Sequence, residues 1–147
     1  MLLLRIRMAD HESFFLGQKA ILIRESRALI LEASYEPGSW DLPGGRVHVG
    51  ESQDTAFRRE LKEEIGIENF RLLGVVDYAL WMRDGHRSVC LIALLIENAS
   101  DPISLSHEHS TFKWVGKQEL DQYRFVSDDM KRMLEKGFSY YTLRHAQ

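Results

Sequence analysis

The chain has 147 residues and a mass of 17.1 kDa, enough for one compact domain with a single substantial core, and we expect residues 1–147 to form one domain. Its hydrophobic share of 44% and charged share of 28% exclude a disordered or membrane-embedded chain. A net charge of −3 argues against binding long nucleic acids through many phosphates. The opening MLLLRIRM is too short for a signal peptide or a membrane span, so we expect no membrane partner and a cytoplasmic location.

The first half of the chain reads as a β-hairpin, a loop and a helix. Two apolar runs at 20–24 and 28–31 flank polar residues, which indicates the hairpin. Residues 34–45 contain two prolines and three glycines, which are typical of a loop. The helix follows Ser52, a suitable N-cap, and stops at Gly66, which suits the left-handed conformation just past a helix end. Its apolar stripe consists of Phe57, Leu61 and Ile65.

The second half begins with two strands, at 70–82 and 87–97. Asp84-Gly85 between them predicts a tight hairpin turn. The second strand contains the run VCLIALLI, which lacks alternation and therefore indicates a central strand covered on both faces. Residues 98–110 are polar and contain Pro102, so we expect a long loop, and loops of this length are often functional.

The end of the chain predicts a last strand and helical structure. The strand covers 112–115, and a helix begins in 116–123. After a break, apolar residues at helical spacing continue the helix. These are Met130, Met133 and Leu134. The tail 137–147 shows no strong pattern.

Three carboxylates lie at the end of the first helix. Glu60, Glu63 and Glu64 are spaced i, i+3 and i+4, which places them on one helix face, where like charges repel. A shared divalent cation such as Mg²⁺ would turn that repulsion into attraction. The alternative is a solvated acidic face in which Arg59 pairs with Glu63.

The carboxylates belong to a longer pattern, G-x5-E-x7-R-E-U-x-E-E-x-G-U, where U is aliphatic. The chain matches it at every constrained position, which chance would produce with a probability on the order of 10⁻⁷ to 10⁻⁸. The matched residues are Gly45, Glu51, Arg59, Glu60, Leu61, Glu63, Glu64, Gly66 and Ile67. This box, residues 45–67, resembles that of the Nudix hydrolases (MutT-like proteins). The resemblance implies an α/β (α+β) fold: an α/β/α sandwich with a mixed central sheet and a loop-helix-loop at the box.

The resemblance also implies a reaction and a cofactor. Nudix hydrolases cleave a diphosphate linkage in a nucleoside diphosphate joined to another group, with Mg²⁺ or Mn²⁺ as the metal. By position, the metal ligands would be the carbonyl of Gly44 and the carboxylates of Glu60, Glu63 and Glu64. Arg59 would orient Glu60, Glu51 would support the cluster from its edge, and Gly45 would open the motif. The chemistry is consistent, because cations must neutralise the charge of a diphosphate before it can be attacked.

One further carboxylate is a candidate on the same grounds. Glu108 lies in the loop segment SHEH, six residues before Trp114, where many Nudix enzymes carry a glutamate that binds metal or acts as general base. The resemblance leaves the general base open between Glu60 and Glu108. We interpret His107 and His109 as exposed loop residues.

Substrate-binding residues are unknown from the sequence. Several aromatic residues could stack on a nucleobase, although core packing is the more common role of each: Tyr35, Trp40, Tyr78 and Trp81. Four cations could meet phosphates, with ordinary surface placement as the default: Arg24, Arg83, Arg87 and Lys113.

The substrate stays open among a nucleoside triphosphate, an oxidised nucleotide and a nucleotide sugar. The resemblance also offers substrate markers: Nudix enzymes acting on ADP-ribose tend to carry a proline near positions 82–85, and those acting on dinucleoside polyphosphates a tyrosine. Positions 82–85 of this chain hold neither. A second hypothesis is an inactive Nudix-fold module that binds or senses nucleotides. The intact carboxylates favour the enzyme. Dimers are common in the family, so a homodimer is also possible under the resemblance.

Overall fold

The computed structural model describes residues 11–82 and 87–146. In this part of the chain the strands are β1 (Phe14–Arg24), β2 (Arg27–Ala33), β3 (Ser39–Asp41), β4 (Gly44–Arg46), β5 (Arg71–Trp81), β6 (Ser88–Glu97), β7 (His109–Val115) and β8 (Arg124–Phe125). The α-helices are α1 (Gln53–Ile65) and α2 (Asp128–His145), and a 3-10 helix covers Lys117–Gln122.

The eight strands form one mixed sheet. Its order is β5-β6-β1-β2-β3-β8, with β4 paired to β1 and β7 paired to β2. Strands β1 and β6 are parallel, whereas β5 and β6 are antiparallel. The prediction of a central strand at β6 is therefore confirmed, because β6 lies between β5 and β1.

The two α-helices cover opposite faces of the sheet. On one face, Ile21 and Ile23 of β1 pack in a core cluster with residues of α2. On the other face, Ala20 and Leu22 pack in a second cluster with residues of α1. This alternation along β1 is the period of two that a strand imposes on its side chains. The predicted α/β/α sandwich with a mixed sheet is confirmed; that residues 1–147 form one domain stays a prediction.

The first hairpin is confirmed, and its turn needs no glycine. Glu25 and Ser26 take φ angles of 47° and 61°, so both central residues of the two-residue turn are left-handed, as in the turns that match strand twist. The second hairpin is confirmed by the pairing of β5 with β6. Its predicted turn at Asp84-Gly85 lies outside the described residues.

Both predicted ends of the box helix are confirmed. The hydroxyl of Ser52 accepts a hydrogen bond of 3.2 Å from the backbone N–H of Thr55. Gly66 has φ 73°, and its N–H bonds the carbonyls of Leu61 and Lys62. The apolar stripe of α1 is buried, and Glu64 is buried beside it.

The C-terminal helix is longer than its sequence pattern. The 3-10 helix replaces the predicted start of a helix at 116–123, and α2 runs through the tail that shows no strong pattern. Gly137 lies in this helix, where a Cβ would come within 2.8 Å of Ile21. This glycine, the first residue of the tail without a strong pattern, thus lets α2 approach β1 closely. Across the described residues, no helix combines the length and apolarity that a membrane crossing requires.

Candidate active site

Helix α1 presents the three box glutamates on one face, as predicted, but they differ in exposure. The side chains of Glu60 and Glu64 are 14% and 10% exposed, whereas that of Glu63 is 59% exposed. Two carboxylates are therefore held inside the protein and the third reaches solvent beside them.

Gly44 fastens the start of the box to the end of the helix. Its backbone N–H donates a hydrogen bond of 2.7 Å to Oε2 of Glu64. Gly44 has φ 133°, and a Cβ there would lie 2.0 Å from the carbonyl oxygen of Gln18, so only glycine fits. The structure thus brings Gly44 and Glu64 together.

Gly45 leaves the space that Glu60 occupies. A Cβ on Gly45 would lie 2.3 Å from the carboxylate carbon of Glu60 and 2.5 Å from each of its oxygens. A residue with any side chain would displace that carboxylate.

Arg59 connects the other charged residues of the box. Its Nε and Nη2 donate to the two carboxylate oxygens of Glu51 at 2.6 and 2.9 Å. Its Nη1 donates to Glu60 at 2.8 Å and to Glu63 at 3.2 Å, and Nη2 also reaches the carbonyl of Arg46 at 3.2 Å. The pairing of Arg59 with Glu63 expected for a plain acidic face is present, but as one contact of a wider network. The hydrogen bonds from Arg59, aided by the N–H of His48, lower the pKa of Glu51 to about 2.

The pKa of Glu60 is shifted the other way. Burial raises it, and the neighbouring charges of Glu64 and Glu63 add to the rise, while Arg59 opposes it. Even with Arg59 in place, burial and the neighbouring carboxylates therefore disfavour the charged form of Glu60. A cation bound among these carboxylates would restore the balance.

The long loop before β7 lies against the end of α1. The N–H groups of Ser104 and Ser106 donate to the carbonyls of Ile65 and Glu64, each at 3.0 Å. The carbonyl of Glu108 accepts a bond of 3.1 Å from Ser34. These contacts fix the backbone of this loop beside the box, and a carboxylate oxygen of Glu108 lies within 4.8 Å of a carboxylate oxygen of Glu64.

The expectation that His109 is exposed is wrong. Its side chain is only 5% exposed, and its Nε2 lies 3.5 Å from Oε1 of Glu64. Burial opposes a charge on this imidazole, but the Glu64 carboxylate outweighs it and raises the pKa of His109. One ligand atom from each of Glu64, Glu108 and His109 lies within 4.8 Å of the others. His107, in contrast, is exposed as predicted.

A cavity of about 360 Å³ adjoins the box at Gly45 and Arg46. Its wall contains a buried ion pair in which Nζ of Lys19 lies 2.9 Å from Asp41. Burial disfavours the charge of Lys19, but Asp41 outweighs this effect and raises the Lys19 pKa. The sequence reasoning missed both residues, although a lone lysine in the apolar run of β1 was a usable signal.

The candidate aromatic residues divide between cavity, core and surface. Tyr35 and Trp81 line the cavity. Trp40 is buried and packs edge-on against Tyr123 at 5.5 Å. Tyr78 is 62% exposed and does not line the cavity.

The candidate phosphate-binding cations have other contacts. Arg24 donates to the carbonyl of Asn98 at 2.8 Å, Arg87 lies over the ring of Phe15, and Lys113 lies over Trp40. Arg83 lies outside the described residues. Arg24 also lines a larger cavity of about 760 Å³ at the opposite end of β1, whose wall contains none of the box carboxylates.

Comparison with known proteins identifies the family. The sequence model of the NUDIX domain matches residues 14–136. The chain belongs to the NUDIX domain family. As a Nudix protein it is 36% identical over 113 residues to the asymmetrical bis(5'-nucleosyl)-tetraphosphatase of Caenorhabditis elegans, covering 74% of this chain and 80% of that protein. It is 30% identical over 114 residues to the CTP pyrophosphohydrolase of Escherichia coli (strain K12), covering 76% and 82%.

Solved structures agree with the family. The solution structure of the E. coli ORF135 protein superposes with a TM-score of 0.76 at 27% identity, covering 92% of this chain and 96% of that one. A C. elegans Ap4A hydrolase binary complex gives 0.74 at 25% identity, covering 88% and 98%. The prediction that the chain is a Nudix enzyme, a hydrolase acting on acid anhydrides, is confirmed by these homologues.

Nudix enzymes generally use a divalent metal, and the residues of this Nudix site fit one. Glu64 and Glu108 carry carboxylate oxygens of the kind that hard cations prefer, and burial together with the neighbouring carboxylates disfavours the charged form of Glu60. The buried imidazole of His109 faces the carboxylate of Glu64.

Proposed function

We propose that this Nudix enzyme hydrolyses a diphosphate bond in a small nucleoside diphosphate derivative, with Mg²⁺ or Mn²⁺ as cofactor. The observation that carries the proposal is the convergence of two separate segments. Helix α1 supplies the box carboxylates, and the loop before β7 brings Glu108 next to Glu64. Relatives whose names specify nucleotide substrates of several kinds support this class of substrate.

In this proposal the metal ligands are the carboxylates of four glutamates and the carbonyl of Gly44. The glutamates are Glu60, Glu63, Glu64 and Glu108. A bound divalent cation supplies neutralising charge for the diphosphate and acidifies water. The protein's own contribution is position, since Arg59 holds Glu60 and Glu63 while Gly44 holds Glu64.

The general base is either Glu60 or Glu108, and kinetics can separate them. Removing a base lowers kcat by about 10² to 10⁴-fold at any metal concentration. Removing only a ligand weakens metal binding, so excess metal restores part of the rate. Glu60→Gln and Glu108→Gln should therefore differ in their response to excess Mn²⁺.

The cavity beside the box is the proposed substrate pocket. It combines the charged pair of Lys19 and Asp41 with the aromatic side chains of Tyr35 and Trp81, and it reaches the carboxylates through Gly45. A nucleobase needs polar partners at its edge and apolar surface on its face, and this wall has both.

The substrate panel should contain nucleoside triphosphates, oxidised nucleotides and nucleotide sugars. It should also contain diadenosine tetraphosphate. Two of the reported relatives and neighbours, a tetraphosphatase and an Ap4A hydrolase, carry that class of substrate in their names. The missing tyrosine marker is thus a weak reason to leave the class out.

The test is release of phosphate or pyrophosphate from this panel with Mg²⁺ or Mn²⁺, and with a chelator. We expect metal-dependent release from at least one compound and a loss of at least tenfold in Glu63→Gln and Glu64→Gln. A matched control is Glu68→Gln, because Glu68 is an exposed glutamate just beyond the box that pairs with Lys62. No metal-dependent release from any compound, or equal release from the variants, would overturn the proposal.

The same panel tests the inactive binding module, which would bind a nucleotide without releasing product. The intact carboxylate set favours the enzyme. A cytoplasmic location and a homodimer stay predictions, which cell fractionation and light scattering of the purified chain would check.

A further inference from the structure

His109 is a buried polar residue without a hydrogen bond that explains its burial. It is the first residue of β7, and its backbone pairs with Ala33 of β2. Within residues 11–82 and 87–146, neither ring nitrogen has a hydrogen-bond partner. Buried polar groups in native proteins are nearly always hydrogen-bonded, so an imidazole at 5% exposure whose nearest carboxylate oxygen is 3.5 Å away needs another explanation.

The imidazole points at the free oxygen of a carboxylate. Oε2 of Glu64 accepts from the N–H of Gly44, and Oε1 faces Nε2 of His109 at 3.5 Å. That distance is longer than the roughly 2.7 to 3.2 Å of an N–H···O hydrogen bond. Two ligands of a tetrahedral metal, each about 2.1 Å from the ion, lie about 3.4 Å apart.

A third ligand atom completes the arrangement. The carboxylate of Glu108, the residue before His109, joins Glu64 and His109 in a group whose ligand atoms all lie within 4.8 Å of one another. Two oxygens and one nitrogen thus converge from α1 and from the start of β7. Carboxylates alone could be an ordinary acidic patch, but the buried nitrogen without a hydrogen bond marks a place for a cation.

We propose that His109 is a nitrogen ligand of a divalent cation held together with Glu64 and Glu108. Mg²⁺ strongly prefers oxygen, whereas imidazole suits borderline transition metals. The site therefore favours Co²⁺ and Zn²⁺ over Mg²⁺ more than an all-oxygen site would. The inference deepens the proposed function, since it concerns the cofactor of the same site, but metal binding can be measured without any substrate.

The first test is calorimetric titration of the full chain with Zn²⁺, Co²⁺ and Mg²⁺ separately. We expect His109→Asn to lose at least tenfold in affinity for Zn²⁺ and Co²⁺ and less than threefold for Mg²⁺. His107→Asn is the matched control, because His107 lies in the same loop but is exposed, and its affinities should stay within twofold. Unchanged Zn²⁺ and Co²⁺ affinity in His109→Asn, or an equal loss in His107→Asn, would overturn the proposal.

A second measurement needs no variant at His109, in case His109→Asn fails to fold. On adding one equivalent of Zn²⁺ to the wild-type chain with labelled imidazole nitrogens, one His109 nitrogen should move to the resonance position of metal-bound imidazole. If Zn²⁺ binds while both nitrogens keep the shifts of a protonated ring, His109 is only an ion-pair partner of Glu64 and the proposal fails.

The outcomes separate this inference from the proposed function. Zn²⁺ binding through His109 without hydrolysis of any nucleotide would support His109 as a metal ligand and overturn the proposed hydrolytic function. Metal-dependent hydrolysis with no contribution of His109 to Zn²⁺ or Co²⁺ affinity would do the reverse.

Discussion

Nε and Nη2 of Arg59 donate two hydrogen bonds, of 2.6 and 2.9 Å, to the carboxylate of Glu51. This leaves Nη1 of Arg59 directed at Glu60. Arg59 and Glu51 are eight positions apart, on either side of the helix start. A lysine could not make this fork, because its ammonium is a single point of charge. The pair is therefore a positioning device for the carboxylates beside it.

The pair predicts a pH-dependent stability difference. The pKa of Glu51 is about 2 in the folded chain, below its unfolded value of about 4.3. Ionised Glu51 therefore stabilises the fold above about pH 4.3, and this contribution is lost as the pH falls toward about 2. Urea unfolding should show Glu51→Gln less stable than wild type near neutral pH, with the difference shrinking in acid. Glu135→Gln, at an exposed position on α2, serves as control. A difference independent of pH would contradict the account.

Adding one methyl group at Gly45 should reduce activity. Gly45→Ala places a Cβ against the Glu60 carboxylate at 2.3 Å, so that carboxylate must move by about 1 Å. Displacement of this size costs about 10²-fold in rate. We expect kcat to fall by that amount while the far-ultraviolet circular dichroism stays unchanged.

Gly50→Ala is the control for that variant. Gly50 has φ 85° and open space around its Cβ position, so alanine brings strain but no clash. It should lower the free energy of unfolding by about 1 kcal/mol and leave kcat within threefold. Loss of activity in Gly50→Ala but not in Gly45→Ala would contradict the role given to Gly45.

Tyr35 predicts a change in substrate binding alone. It lines the cavity beside the box and is 72% exposed, so it has little to contribute to the core. Stacking of an aromatic side chain on a base contributes about 1 to 3 kcal/mol. Tyr35→Ala should raise KM about fivefold or more with an unchanged melting temperature. Tyr78→Ala, at a position 62% exposed but outside the cavity, should change neither. Equal KM values for the two variants would remove Tyr35 from the pocket.

Asp77 lies away from the candidate active site, and replacing it should reduce the stability of the fold. Burial disfavours its charge, but Lys136 and Arg132 of α2, each at 2.9 Å, outweigh this and lower the pKa of Asp77. Asp77→Asn should reduce the free energy of unfolding by about 1 to 2 kcal/mol, a value discounted because both cations are partly exposed. Asp121→Asn, which breaks the exposed pair with Lys131, should reduce the free energy of unfolding far less. Equal losses in urea unfolding would contradict this ranking.

The box helix was predictable because its signals are local. Ser52, Gly66 and the stripe of Phe57, Leu61 and Ile65 all act within a few residues of one another. The central position of β6 was also predictable, since a strand buried on both faces shows no alternation. These features require no knowledge of what lies across the fold.

The features that escaped prediction depend on distant partners. Gly137 begins a tail in which the sequence shows no strong pattern, and its place in α2 is explained only by the contact with Ile21 of β1. His109 looks like a loop residue until the loop is laid on the end of α1, which buries it against Glu64. The pairing of Lys19 with Asp41 likewise joins β1 to β3, and no spacing in the sequence reveals it.

The most direct test of the central claim is the initial rate of Mg²⁺-dependent hydrolysis of the best panel substrate by wild type, Glu64→Gln and Glu68→Gln. Glu64 accepts from Gly44 and lies beside Glu108 and His109, so it joins the box to the residues at the start of β7. The account predicts a loss of at least about tenfold in Glu64→Gln and less than about twofold in Glu68→Gln. A Glu64→Gln protein that folds and hydrolyses the substrate at the wild-type rate would contradict it.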